Sequence, residues 1–219
     1  YIWLACRTAS DAPKHRGISI LLVDAKLPGV AVQPMPTIGD LCTTSTFYEN
    51  VRVPRDCLVG EEGQGWNLIT NQLNHERISL VSTGPGLRIF EELLTWTRET
   101  RVYESGRVMR VIDKPWVQLK LAEIAARLSA LRLMTWKQAW AISQDGLQFA
   151  DASAVKVYGT ESFVAIYRAM LEILGLPGLV RRESQRAIVS GLPELFHRTS
   201  LILTFGGGTN EIQRDMIAA

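Results

Sequence analysis

The sequence predicts a mostly α-helical protein in which a small antiparallel β-domain precedes a bundle of four long helices. Residues 1–58 hold short runs of β-branched and aromatic residues separated by turn-forming segments. From about Gly65 onward, apolar residues instead recur at the helical period. The chain has 219 residues, of which 47% are hydrophobic, so it can bury a core. We predict two domains, with β-structure over 1–60 and the helical bundle over 61–219.

The β-domain is predicted from short runs that alternate with segments containing Gly, Pro and Asp. The runs are Tyr1–Arg7, Ile18–Val23, Val30–Pro34 and Ser45–Val53. Runs of this length, joined by short turn-forming segments, are typical of a small antiparallel sheet.

The helices are predicted from apolar stripes that glycine and proline interrupt. They are a stretch from Gly65 past Leu94 with a break at Gly84–Gly86, a helix ending near Gly146, one over Phe149–Leu174 and one over Ser184–Phe205. The second of these carries the clearest stripe, from Val117 to Met134. The polar segment Val102–Pro115 has no clear period and is interpreted as a loop or helix break. A short helix from Thr209 is expected to end the chain.

Composition excludes several classes of function. The 24 basic and 22 acidic residues are mixed along the chain, which argues against nucleic acid as a partner. Cys6, Cys42 and Cys57 lack metal-ligand spacing and are typical of reduced cysteines in a cytoplasmic protein without a metal site. No apolar run reaches the roughly 18 residues that a membrane span needs. Because the chain begins directly in an apolar strand, we expect it to be a fragment of a longer protein.

The segment FGGGTNEIQR, residues 205–214, is the first candidate site. Its glycines allow positive φ and close backbone approach, and Thr209 or Asn210 can cap the helix that follows. The N–H groups at such a helix start can bind an anionic or carbonyl ligand. The alternative is a plain glycine turn between helices.

This segment resembles the C-terminal signature of the acyl-CoA dehydrogenase family, Y-E-G-T followed by I-Q-R. Gly208, Thr209, Ile212, Gln213 and Arg214 match it, whereas Gly207 stands where the family usually has its catalytic Glu. The segments FYENVRVP (47–54) and GEEGQGW (60–66) also resemble a family junction. The resemblance covers essentially the whole chain. It implies part of the family's middle β-domain, followed by its four-helix C-terminal domain.

The resemblance also implies where the base lies. Some family members carry the base on the first helix of the C-terminal domain, just before an Arg, and here Glu76 precedes Arg77. Glu76 is therefore the predicted base for removal of the substrate α-proton, and the alternative is an ordinary surface Glu. The Gly207 amide is expected to bind the thioester carbonyl. His75, beside Glu76, is expected on the surface.

Further contacts are implied for both ligands. The predicted substrate-binding residues are Asn74, Arg77 and Gly208, and the predicted cofactor-binding residues are Thr209, Glu211 and Ile202. The cofactor implied by the family is FAD, and the implied electron acceptor is an electron-transferring flavoprotein.

The two motifs with which the family holds the FAD pyrophosphate are not intact. ESGRV (104–108) stands in place of R-x-x-F-G, and EILGLPG (172–178) stands in place of Q-x-x-G-G-x-G. Glu172 would repel a pyrophosphate. The resemblance is strongest to actinobacterial subunits of steroid side-chain degradation, which implies a paralogous partner in an α2β2 tetramer and a steroid-CoA substrate. The alternatives are a non-catalytic subunit and a homotetramer that holds FAD by other contacts.

Overall fold

The computed structural model describes residues 1–144 and 146–219, except for the side chain of Asn74. The chain forms two compact units, one made of 1–37 with 41–75 and the other of 38–40 with 76–219. Residues 38–40 belong to the second unit, where Arg198 donates to the Ile38 carbonyl (2.5 Å) and to the Asp40 carboxylate (2.7 Å). The domain boundary between residues 60 and 61 stays a prediction.

The first unit contains two small antiparallel sheets. Its strands are β1 (Ile2–Arg7), β2 (Ile18–Val23), β3 (Val30–Pro36), β4 (Cys42–Tyr48) and β5 (Leu58–Val59). One sheet has the order β1-β2-β5 and the other pairs β3 with β4. The last predicted strand ends at Tyr48 instead of Val53, because Asn50 turns the chain with a φ of 50°. Helix α1 (Gly65–Ser79) begins in this unit.

The second unit is helical apart from one hairpin. Its elements are α2 (Gly84–Glu99), β6 (Arg101–Glu104), β7 (Arg107–Arg110), α3 (Pro115–Ser143), α4 (Phe149–Leu174), α5 (Leu192–Leu203) and α6 (Asn210–Ala218). The apolar stripes of α2, α3 and α4 meet in one core, in which Ile89, Leu128 and Ile166 have no exposed surface. The prediction of a mostly helical chain with a small antiparallel β part is therefore confirmed.

The segment 102–115, interpreted from sequence as a loop or helix break, contains a β-hairpin. Strands β6 and β7 pair from Arg101 opposite Arg110 to Glu104 opposite Arg107. The two turn residues, Ser105 and Gly106, have φ of 51° and 79°, which suits a tight hairpin turn. Four-residue strands are too short to show a clear period in sequence.

The helix predicted over Ser184–Phe205 begins later, at Leu192. The three residues before it have φ of 48° (Val189), 54° (Ser190) and 63° (Gly191), which a right-handed helix cannot include. Pro193 then stands in the first turn of α5, where its fixed φ and missing N–H are tolerated.

Candidate functional site

The connection between α5 and α6, residues Thr204–Asn210, is called the glycine loop. Hydrogen bonds within the chain tighten it: Gly206 N donates to Ile202 O (2.8 Å), Gly208 N to Phe205 O (3.1 Å) and Asn210 N to Thr204 O (3.0 Å). Gly207 and Gly208 adopt φ of 69° and 99°, the left-handed region that favours glycine. Of the two predicted caps, Thr209 is the one used, accepting from Ile212 N at 3.3 Å.

Two amides of the glycine loop are left for a ligand. Among the described residues, the N–H groups of Gly207 and Thr209 have no hydrogen-bond partner. Gly207 is half-buried, and Thr209 directly precedes the N-terminus of α6. Free N–H groups at a helix start can bind a carbonyl or anionic oxygen.

The last turn of α1 lies against the glycine loop. Arg77 is only 6% exposed, and its Nε donates to the Gly207 carbonyl at 3.4 Å. Burial lowers the pKa of Arg77, and the neighbouring charge of Glu76 opposes this shift. Glu76 is half-buried, whereas His75 is exposed.

Gly207 faces that same turn. A Cβ built on Gly207 would lie 3.0 Å from Leu80 Cδ1 and 3.9 Å from Arg77 Cγ. A side chain at position 207 would therefore start toward the end of α1, the element that carries Glu76. The position of the family's usual base therefore faces the last turns of α1, the helix that carries the predicted base.

Lys156 on α4 was not predicted as a site residue. It has no exposed surface, and its Nζ donates to Thr204 O (3.2 Å), Gly208 O (2.7 Å) and Asn210 Oδ1 (2.6 Å). Burial lowers the pKa of its ammonium, as does the nearby charge of Arg77, while Glu211 and Glu161 oppose the shift. A signal was present in the sequence, because the apolar residues Val155 and Val157 flank this lysine within a strongly apolar helix.

A polar network anchors the start of α6 to α4. Asn210 Nδ2 donates to Thr160 Oγ1 (3.1 Å) and to Glu161 Oε1 (3.2 Å), and Arg214 binds both Glu161 carboxylate oxygens at 2.8 and 2.9 Å. Gln213 is completely buried beside Gly208, and within the described ranges neither polar atom of its amide has a partner.

Three of the remaining predicted contact residues lie in the glycine loop or in the helices that flank it. Ile202 is half-buried on α5, and its carbonyl accepts from Gly206 N. Glu211 is exposed in the first turn of α6, and Gly208 is exposed in the loop. Asn74 lies on α1, but its side chain is outside the described residues.

The two altered pyrophosphate motifs have other contacts in this fold. Glu172 accepts from Lys120 (2.9 Å) and Arg168 (3.3 Å), and these bonds hold its pKa below the ordinary value. Arg107 is exposed on β7, and Glu104 is paired with Lys114. Among the described residues, no group of three or more acidic, His or Cys side chains could hold a metal ion. No helix among residues 1–144 and 146–219 is long and apolar enough to cross a membrane.

Comparison with known proteins assigns the family. The model of the acyl-CoA dehydrogenase C-terminal domain matches residues 63–219. The chain belongs to the acyl-CoA dehydrogenase family. The predicted resemblance is thereby confirmed.

Individual acyl-CoA dehydrogenases resemble the chain along its whole length. Acyl-CoA dehydrogenase FadE26 of Mycobacterium tuberculosis is 46% identical over 99% of this chain and 55% of its own length. The solved Tcur3481–Tcur3483 steroid ACAD superimposes with a TM-score of 0.91 at 45% identity, covering 100% of this chain and 55% of that one. The ChsE4–ChsE5 complex from M. tuberculosis gives 0.89 at 46%, with the same coverage. The chain thus spans about half the length of these relatives.

Proposed function

We propose that this chain is part of a subunit of an FAD-dependent acyl-CoA dehydrogenase in which Glu76 is the catalytic base. One observation carries the proposal. A side chain at Gly207 would point at Leu80 and Arg77, so a carboxylate at the end of α1 can replace the one missing from position 207. The burial of Arg77 against the Gly207 carbonyl keeps these two elements together.

The residues of the chain divide the reaction between them. The α C–H bond of the acyl-CoA breaks and its proton passes to the Glu76 carboxylate. The free Gly207 N–H donates to the thioester carbonyl oxygen, where negative charge develops. Arg77, Gly208 and Asn74 are proposed to position the thioester. The β C–H bond would break with its electron pair leaving on the hydrogen, and bound FAD would supply the acceptor for that hydride.

The residues present fit only one half of FAD. The free Thr209 N–H suits a hydrogen-bond acceptor on the flavin ring, and Ile202 and Glu211 are proposed to contact the same group. The pyrophosphate half does not fit, because Glu172 is a carboxylate held charged by Lys120 and Arg168. A phosphate there would meet like charge.

We therefore propose a paralogous partner subunit that supplies the pyrophosphate site in an α2β2 assembly. The ChsE4–ChsE5 complex is a precedent for pairing, and the Tcur3481–Tcur3483 steroid ACAD suggests a steroid side-chain CoA ester as substrate. Electrons would pass to an electron-transferring flavoprotein. A cytoplasmic location also stays a prediction.

The test of Glu76 uses the full-length protein co-expressed with its paralogue. Glu76→Gln keeps the size of the side chain but removes the base, so dye reduction should fall by about 10²–10⁴-fold while the FAD absorbance is unchanged. Glu91→Gln, a change at an exposed carboxylate on α2, is the control and should keep full turnover. Undiminished turnover of Glu76→Gln would show that the base lies elsewhere.

A second function is favoured by the ion pairs of Glu172. A chain that cannot hold the pyrophosphate could serve only to complete a sister subunit. In that case the assembly would turn over substrate with Glu76→Gln at the wild-type rate, and a substitution of the partner's base would abolish activity.

A further inference from the structure

We propose that Lys156 is a positioning residue of the acyl-CoA site, which sets the shape of the glycine loop and adds positive potential beneath the Gly207 amide. The identity of the ligand in this inference is taken from the proposed function. Its structural part, control of the loop by Lys156, can be tested without any ligand.

The three hydrogen bonds of Lys156 all go to the glycine loop or its end. An ammonium has three donors, and here they meet Thr204 O, Gly208 O and Asn210 Oδ1. No donor is left for a substrate. Lys156 therefore acts through the loop and is not a catalytic residue.

Two buried cations fix consecutive peptide groups of the loop. Arg77 binds the carbonyl of Gly207, and Lys156 binds the carbonyl of Gly208. The carbonyl and the N–H of a trans peptide point in opposite directions. Because the Gly208 carbonyl points inward to Lys156, the Thr209 N–H of the same peptide group points outward. With the peptide groups before and after Gly208 both held, the Gly207 N–H can adopt fewer positions.

Stability alone does not account for a charge at this position. Burying an ammonium is costly unless it is paired. Its hydrogen-bond acceptors are neutral, and in the part of the chain described no carboxylate oxygen lies within ion-pair distance of Nζ. Glu161 and Glu211 act only at longer range. A positive charge beside the glycine loop, which its own contacts compensate incompletely, would favour the negative charge that develops on a thioester oxygen bound to that loop.

The first experiment measures the loop without ligand. In the full-length protein with its partner, Lys156→Met should speed amide exchange of residues 204–210 at least tenfold. Gln138→Met is the matched control, because Gln138 is also buried and, within the described ranges, forms no hydrogen bond to the loop. Loop exchange equal in Lys156→Met and Gln138→Met would overturn the inference, whatever reaction the protein catalyses.

The second experiment measures the thioester itself. The infrared carbonyl stretch of a bound enoyl-CoA labelled with ¹³C at the carbonyl should shift less from its free value in Lys156→Met than in wild type. Turnover should fall by about 10–100-fold with KM changed less than threefold, because Lys156 does not touch the ligand. A wild-type carbonyl shift and turnover in the variant would overturn the electrostatic part.

Lys156→Gln covers the case in which the methionine variant does not fold. Its amide can still donate to the loop but carries no charge, so the carbonyl shift should again be reduced. Retention of the full wild-type shift would exclude a role for the charge. A wild-type complex that shows no carbonyl shift on binding would instead contradict the proposed role of Gly207, while the exchange result would still decide the role of Lys156.

Discussion

Gly159 sets the distance between α4 and the segment that leads from α1 to α2. A Cβ on Gly159 would lie 2.5 Å from Val81 Cγ1, 2.6 Å from Val81 Cβ and 3.0 Å from Leu131 Cδ1. Val81 is completely buried, so its branched side chain has no space to move into. One turn before Gly159, Lys156 reaches the glycine loop from the same helix.

We predict that Gly159→Ala destabilises the protein by about 1–3 kcal/mol through overpacking, although alanine is the better helix former. The midpoint of urea unfolding measures this. Gly84→Ala is the control, because the nearest atom to a Cβ there is Ser82 Oγ at 4.0 Å, and it should be neutral or stabilising. Equal stability of Gly159→Ala and wild type would mean that the two segments separate easily.

At the scale of single residues, sequence patterns single out unusual strings of residues more readily than buried polar side chains. The Glu76-Arg77 pair and the three glycines stand out as strings, so their positions could be singled out before the fold was known. Lys156 carried only the weaker signal of an apolar helix around it, because whether a helical lysine is buried depends on which helix covers it. The unpartnered Gln213 amide is likewise visible only after α6 packs on α4.

Among the elements, helices α3 and α4 are joined at their surface by Glu172, which binds Lys120 across the helix pair and Arg168 along its own helix. Both bonds hold the pKa of Glu172 below its ordinary value near 4.5. The folded state therefore binds the proton less tightly than the unfolded state, so this contribution to stability is complete above that ordinary value. It is lost as the pH falls through the lowered pKa of the folded state.

We expect Glu172→Gln to reduce the free energy of unfolding by about 0.2–1 kcal/mol at pH 7. The difference from wild type should shrink toward zero as the pH is lowered past the folded pKa of Glu172. Urea unfolding from pH 7 down to pH 3 follows this difference, with Glu91→Gln as control. A constant difference at every pH would mean that the ion pairs contribute nothing to the acid dependence.

Sequence predicts the boundaries of an element well where apolar residues recur over many turns. It predicts them poorly where an unusual backbone conformation ends the element. The third predicted helix coincides with α4, because its apolar residues recur over many turns. The β6–β7 hairpin was missed because its strands have four residues each. The start of α5 was placed too early, since the left-handed Val189 and Ser190 are residue types that seldom adopt this conformation.

For the whole molecule, the proposed division of labour between two chains is the main consequence of the altered pyrophosphate motifs. The second unit has the glycine loop and the end of α1 in place, whereas the Glu172 side of α4 is occupied by its own ion pairs. A flavin held by this chain alone would lack contacts to its phosphates.

We predict that the full-length protein purified alone contains little FAD and that co-expression with its paralogue gives one FAD per two chains. The ratio of flavin absorbance to protein, measured after gel filtration, tests this. One FAD per chain in the protein alone would contradict the shared site and would indicate a homotetramer with different phosphate contacts.

The conformation of Gly207 also determines how the site can change during evolution. A side chain at its φ of 69° costs about 1–2 kcal/mol, and it would begin 3.0 Å from Leu80 Cδ1. A glutamate at position 207 would therefore carry this backbone cost and would require the Leu80 side chain to shift by a few tenths of an ångström. We therefore expect Gly207→Glu alone to be a poor replacement for the proposed base, Glu76.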